Sequence, residues 1–172
     1  MGKPLIVLDI DGVLADVRHR LHHLARRPKD WDGFFAAAKD DEVLEIGATF
    51  ARQAAATHDV VYLTGRPSRL RAATQAWLDA QLLPPGTLLM RPEGDRRPSA
   101  VVKVQELRRL RRDSVVDLLV DDDPSVIDAA RAAGFTVQLA EWMTTLAAAD
   151  PAQAALFDGD LLHNAQNREG RT

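Results

Sequence analysis

Residues 4–16, PLIVLDIDGVLAD, decide how the rest of this chain reads. Leu5, Ile6, Val7 and Leu8 form a short apolar run, rich in β-branched residues and without polar alternation, the pattern of a strand buried on both faces of a parallel sheet. The run closes on Asp9, Ile10, Asp11 and Gly12. Side chains two apart on an extended chain point the same way, so the Asp9 and Asp11 carboxylates are expected together at the strand's carboxyl end, where open α/β sheets bind ligands. Like charges this close repel unless a cation joins them, and hard oxygen ligands favour magnesium. Gly12 then lets the chain turn sharply. Asp and Gly are also ordinary turn residues, so the remaining chain has to decide between a site and a turn.

At 172 residues the chain fits one domain over 1–150, with a small helical cap insertion at 16–57 and a partly disordered helix and tail at 151–172. The lack of cysteine excludes a disulfide framework, thiolate zinc sites and a cysteine nucleophile. No segment approaches the length of a membrane span and no signal-peptide profile precedes the first strand, so a soluble cytoplasmic protein without a membrane partner is expected. Net charge is −3, which gives no global pull toward nucleic acid, although arginine clusters can supply a local one. Of the 22 basic residues, the lysines are Lys3, Lys29, Lys39 and Lys103, so a lysine placed where chemistry wants one is worth following.

Beyond Asp16, Val17, Leu21 and Leu24 recur at helical spacing among Arg18, His19, Arg20, His22 and His23. The histidines lack acidic or cysteine companions at zinc spacing, so a solvated or phosphate-facing helix face is expected. Asp30 suits the N-cap of a short helix with Trp31, Phe34 and Phe35, and Val43, Ile46, Phe50 and Ala54 stripe a longer one. Residues 59–64, DVVYLT, read as a second buried strand ended by Gly65, Arg66 and Pro67, with Pro67 in the first turn of a helix striped by Leu70, Ala73, Trp77 and Leu78. Thr64 stands at a strand end facing that helix start, a position suited to a phosphate or to a simple cap. A third strand is expected over 87–90, then the arginine-rich RPEGDRRPSAVVK leading into a helix that carries Lys103. The arginines at that helix's end complement its dipole; Arg91, Arg96 and Arg97 lie outside that explanation. Strands over 115–120 and 135–139 flank a helix over 126–133, and the fourth strand ends in Asp121, Asp122 and Asp123. This alternation predicts an α/β fold, a doubly wound parallel sheet. Neither a GxGxxG fingerprint nor a GxxxxGK[ST] loop occurs, which argues against a dinucleotide enzyme and a P-loop kinase within this chain.

Taken in order, DxDG, Thr-Gly-Arg, Lys103 and Asp-Asp resemble the haloacid dehalogenase superfamily of phosphohydrolases, over roughly residues 4–140 of the chain. The resemblance implies a Rossmann-like core and Mg²⁺ dependence. By it, Asp9 is the nucleophile and Asp11 the general acid/base, Thr64 with Gly65 holds phosphoryl oxygens, Lys103 balances charge, and Asp122 with Asp121 joins Asp9 and Asp11 around the metal. Within the superfamily, Arg20, the Gly65-Arg66 pair, and Arg91, Gly94, Asp95 and Arg97 followed by Val101, Val102 and Lys103 resemble the phosphatase domain of polynucleotide kinase/phosphatases. That resemblance implies phosphate contacts from Arg20, Arg66 and Arg97 and a phosphomonoester substrate at nucleic acid 3′ ends. Ser99 and Ala100 depart from it, standing where the phage enzyme is expected to be acidic. The segment between the first strand and Thr64 is too short for a large lid, so an open site is expected. The alternatives are a phosphatase of small metabolites or mononucleotides, and a non-catalytic relative that binds nucleic acid. The sequence leaves the oligomeric state open.

Overall fold

A computed structural model describes residues 2–149, and the expected tail at 151–172 lies outside them. In chain order the elements are β1 (Leu5–Leu8), β2 (Ala15–Asp16), α1 (His22–Ala25), α2 (Trp31–Ala36), β3 (Glu42–Val43), α3 (Glu45–Ala54), β4 (Asp59–Pro67), α4 (Arg71–Ala80), β5 (Gly86–Arg91), α5 (Ser99–Leu110), β6 (Val116–Asp121), α6 (Pro124–Ala132), β7 (Val137–Leu139) and α7 (Trp142–Ala149). Five parallel strands form one sheet in the order β5-β4-β1-β6-β7. β1 lies in the middle because its side chains can be buried on both faces. Ile6 and Leu8 pack with Val60, Tyr62 and Val120 against Ala48 and Ala51 of α3 and Trp77 and Leu78 of α4. Leu5 and Val7 pack with Val61, Leu63 and Leu119 against Val104 and Leu107 of α5 and Val126 and Ala130 of α6. The doubly wound parallel sheet expected from the alternation is what forms.

The helical insertion follows β1. Val17, Leu21, Leu24 and Phe34 gather in a separate cluster with Leu44 and Met143, and the antiparallel pair β2–β3 closes its neck, with Ala15 opposite Val43. The insertion begins with a 3-10 turn, Arg18–Arg20, and the one-turn α1 in place of a continuous helix. The Asp16 carboxylate accepts the Arg18 N–H at 3.0 Å and holds the chain in that turn. Asp30 does cap α2, accepting from the Gly33 N–H at 2.8 Å.

Elsewhere the expected stripes shift. In α3, Ile46 is 54% exposed and the buried face is Gly47, Ala48 and Ala51. Small residues are needed there because the helix lies on the loop after Gly12: a Cβ on Gly47 would sit 1.9 Å from the Val13 carbonyl oxygen. Thr74, rather than Ala73, joins Trp77 and Leu78 on the buried face of α4. β4 runs on through Gly65 and Arg66 to Pro67, which pairs with Arg91 after a register shift. Pro67 therefore ends a strand, with ψ 148°, instead of starting a helix, and a 3-10 turn at Ser68–Leu70 separates it from α4.

Candidate active site

The carboxyl ends of β1, β4 and β6 meet because Leu8 is in register with Tyr62 on one side and Val120 on the other. Asp9 and Asp121 thereby leave adjacent strands side by side, and the Asp9 N–H donates to the Val120 carbonyl at 3.0 Å. Lys103, one turn into α5, reaches between them: its Nζ lies 2.8 Å from Asp9 Oδ2 and 2.7 Å from Asp121 Oδ2. All three are buried. Asp122 completes the group, with one carboxylate oxygen each from Asp9, Asp121 and Asp122 within 4.8 Å of one another. Gly12, with φ 77°, makes that approach possible, since a Cβ on it would lie 2.0 Å from Asp122 Oδ2.

Three carboxylates around one ammonium leave two negative charges in excess, the charge of one divalent cation. The protonation tendencies agree. Burial pushes the Asp9 carboxyl up to about 7, with Lys103 opposing and Asp121 and Asp11 assisting. Burial, then the Asp9 and Asp121 charges, push Asp122 well above the usual range, and burial raises Asp121 despite Lys103. Lys103 is held protonated because these acids outweigh its own burial. Asp122 Oδ1 is buried without a hydrogen-bond partner. A hard cation satisfies all of this, and an all-oxygen donor set fits Mg²⁺. The neighbouring Asp123 serves the helix instead, since its carboxylate accepts from the Ser125 N–H and caps α6.

Asp11 parts company with Asp9. Its Oδ1 accepts from Arg20 Nη2 at 2.7 Å and from Arg66 Nε and Nη2 at 2.9 and 2.6 Å. The two guanidinium groups outweigh burial and hold its carboxyl well below the usual range. Its side chain therefore stands outside the three-carboxylate group expected to include it. The same arginines grip Asp41, which accepts from Arg20 Nε and Nη2 at 2.7 Å each and from Arg66 Nη2 at 2.8 Å. Arg20 and Arg66 are fully buried, and a buried guanidinium needs carboxylate partners. They are thus engaged within the protein, where the resemblance implied contacts with substrate phosphate. Phe34 stacks on Arg20, with Cζ 4.1 Å from the ring centroid.

Thr64 and Gly65 lie on β4 beside this network, and Thr64 Oγ1 accepts the Arg66 N–H at 3.2 Å, which leaves its own proton to donate. Arg97 is exposed, forked onto Asp95 and bonded through Nη1 to Gln105 at 2.7 Å. Arg91 is buried and ties the loop before α5 by donating to the Asp95 and Arg97 carbonyls. The histidines do find acids, through the fold: His19 meets Asp41 at 2.8 Å and His23 meets Asp30 at 2.8 Å.

Asp41 is the residue that sequence reasoning missed. It stands between Asp40 and Glu42 with no motif to mark it, yet its side chain is fully buried and its carbonyl accepts from Trp77 Nε1 at 2.8 Å.

Comparison with known proteins bears on this geometry. The family model of the polynucleotide kinase PNKP phosphatase domain matches residues 3–141. Two solved structures of a Pnkp1/Rnl/Hen1 complex, one described as an RNA repair complex, superpose on 80% of the chain at 24% identity with TM-scores of 0.64 and 0.66. The chain spans 42% and 45% of the length of the chains it matches there. A haloacid dehalogenase-like hydrolase from Streptococcus pneumoniae superposes on 80% of the chain, over 84% of its own length, at 9% identity and a TM-score of 0.55. At these identities the structural likeness is one of fold. No curated protein sequence matches the chain.

Proposed function

The chain belongs to the polynucleotide kinase PNKP phosphatase domain family of the haloacid dehalogenase superfamily, and on that premise we propose that it is a Mg²⁺-dependent phosphomonoesterase that removes terminal phosphate, 3′ preferred, from nucleic acid ends or nucleotides. The observation that carries this reading is the convergence of Asp9, Asp121, Asp122 and Lys103 on one spot with a negative charge excess.

Asp9, Asp121 and Asp122 would hold the metal, which supplies positive charge where a phosphate dianion must approach a carboxylate. Asp9 is the nucleophile: its carboxylate oxygen attacks phosphorus, the ester P–O bond breaks, and an aspartyl-phosphate forms that water then hydrolyses. Lys103 keeps its ammonium against Asp9 and offsets charge on the incoming phosphate. The Thr64 hydroxyl and the Gly65 N–H donate to phosphoryl oxygens. Asp11 gives a proton to the departing oxygen and takes one from the attacking water. Arg20 and Arg66 keep Asp11 ionised, which suits the second half of the cycle. For the first half they must loosen their hold, and a substrate phosphate is a bidentate partner able to draw a guanidinium away.

A second reading has one observation in its favour. Arg20 and Arg66 are already paired and Arg97 is forked onto Asp95, so a phosphatase of mononucleotides or small metabolites needs nothing beyond the residues around Asp9. Phosphate release from 3′- and 5′-phosphorylated DNA and RNA oligonucleotides, mononucleotides and p-nitrophenyl phosphate, with and without Mg²⁺, separates the two. The proposal expects 3′-phosphorylated ends to be preferred and turnover to need Mg²⁺; a clear preference for mononucleotides supports the second reading. Release from none of these substrates contradicts both.

A further inference from the structure

Ser99 is the first residue of α5 and is fully buried, and its Oγ has no hydrogen-bond partner. A buried hydroxyl left unsatisfied is costly, and such groups call for a specific reason. Its surroundings supply one. The hydroxyl lies 4.0 Å from the position a Cβ would take on Gly65, against the strand end that carries Thr64. It precedes Lys103 by four residues, which places both side chains on one face of α5, and a long helical side chain leans toward the helix N-terminus, bringing the ammonium back toward Ser99. The N-cap of α5 is Pro98, which has no side-chain acceptor for the N–H groups of the first turn. A twelve-residue helix thus begins with an uncapped, positive N-terminus and a buried donor, both beside the groups already assigned to phosphate.

We infer that the Ser99 hydroxyl donates a hydrogen bond to an oxygen of the bound phosphate, making the head of α5 a third side of the phosphate pocket beside Thr64 and Lys103. This rests on the phosphatase reading and adds a ligand to it. The same reasoning explains why the free protein tolerates the orphaned hydroxyl: its partner arrives with the substrate.

The test is direct binding of inorganic phosphate in the presence of Mg²⁺, by titration calorimetry, together with thermal unfolding of the phosphate-free protein. Ser99→Ala should bind phosphate about tenfold more weakly, the lower range for a lost hydrogen bond to a charged group, while its Tm stays equal or rises. Ser99→Cys, close in shape but a weak donor, should follow Ser99→Ala. Wild-type phosphate affinity in either variant overturns the inference. So does a lower Tm in Ser99→Ala, because the hydroxyl would then have a partner within the protein. If either happens while the wild-type protein still releases phosphate from its substrates, the phosphatase reading stands. A wild-type protein that neither binds nor releases phosphate overturns both.

Discussion

Asp122 Oδ1, buried without a partner, and Lys103, clamped between Asp9 and Asp121, express one physical fact: the acids at the strand ends hold more buried negative charge than the lysine offsets. Lys103→Met should therefore destabilise the cation-free protein by about 3–5 kcal/mol, the usual cost of stripping one partner from a buried ion pair. Mg²⁺ should recover part of that loss; chemical denaturation with and without the ion reads both effects. Asp41→Asn should cost about 3 kcal/mol by leaving Arg20 and Arg66 short of one negative charge, again visible in denaturant midpoints. The two residues differ in how visible they are in the sequence. Asp9 and the acids at 121–123 stood out because each follows an apolar strand, while the roles of Lys103 and Asp122 came from the resemblance to the haloacid dehalogenase signature. Asp41 could not, since its importance arises when Arg20 from the insertion and Arg66 from β4 close on it from distant parts of the chain. The same closure turned two arginines expected to await substrate into partners of Asp11.

Neighbouring elements approach the loop after β1 so closely that glycine is needed at two separate contacts, Gly12 of the loop against Asp122 and Gly47 of α3 against Val13. Gly12→Ala would force a Cβ onto Asp122 at a backbone conformation, φ 77°, that other residues resist. Divalent-ion binding measured by calorimetry should fall steeply in that variant. Gly47→Ala, on α3, would drive a Cβ into the Val13 carbonyl and should cost about 1–3 kcal/mol, as overpacking usually does. Unfolding curves would show that loss. The elements themselves were legible where burial on two faces wrote a continuous apolar run, as in β1, or where a cap announced a start, as Asp30 does for α2. They were misread where tertiary contact outranked pattern. Ile46 looked like core on its own helix, yet the sheet accepts Ala48 and Ala51; Pro67 looked like a helix start, yet pairing with Arg91 keeps β4 going.

Across the whole molecule, proton binding should report the missing charge. The carboxyl of Asp9 moves from the usual 3.8 to about 7 on folding without a cation, and Asp121 and Asp122 move the same way. Below the lower value both folded and unfolded chains hold that proton; between the two values only the folded chain does. Stability of the cation-free protein should therefore decline as pH rises from 3.8 to about 7, and Mg²⁺ should flatten the decline because it favours the ionised acids. Asp11 works in the opposite sense, its carboxyl being depressed by Arg20 and Arg66, so its contribution is present above the usual carboxylate range and is lost in acid. Stability measured against pH, with and without Mg²⁺, checks both signs. The sheet order that creates this arrangement puts β1 between β4 and β6, and no single stretch of sequence states it. The central claim, that Asp9 is the nucleophile of a phosphoryl-transfer site, is tested most directly by quenching the protein in acid during turnover of a phosphate-labelled substrate in Mg²⁺. Label should be found on the peptide that contains Asp9 in the wild-type protein, with neither label nor turnover in Asp9→Asn, whose circular dichroism should match that of the wild type. Turnover at the wild-type rate in Asp9→Asn, or label carried on any other peptide, would contradict the claim.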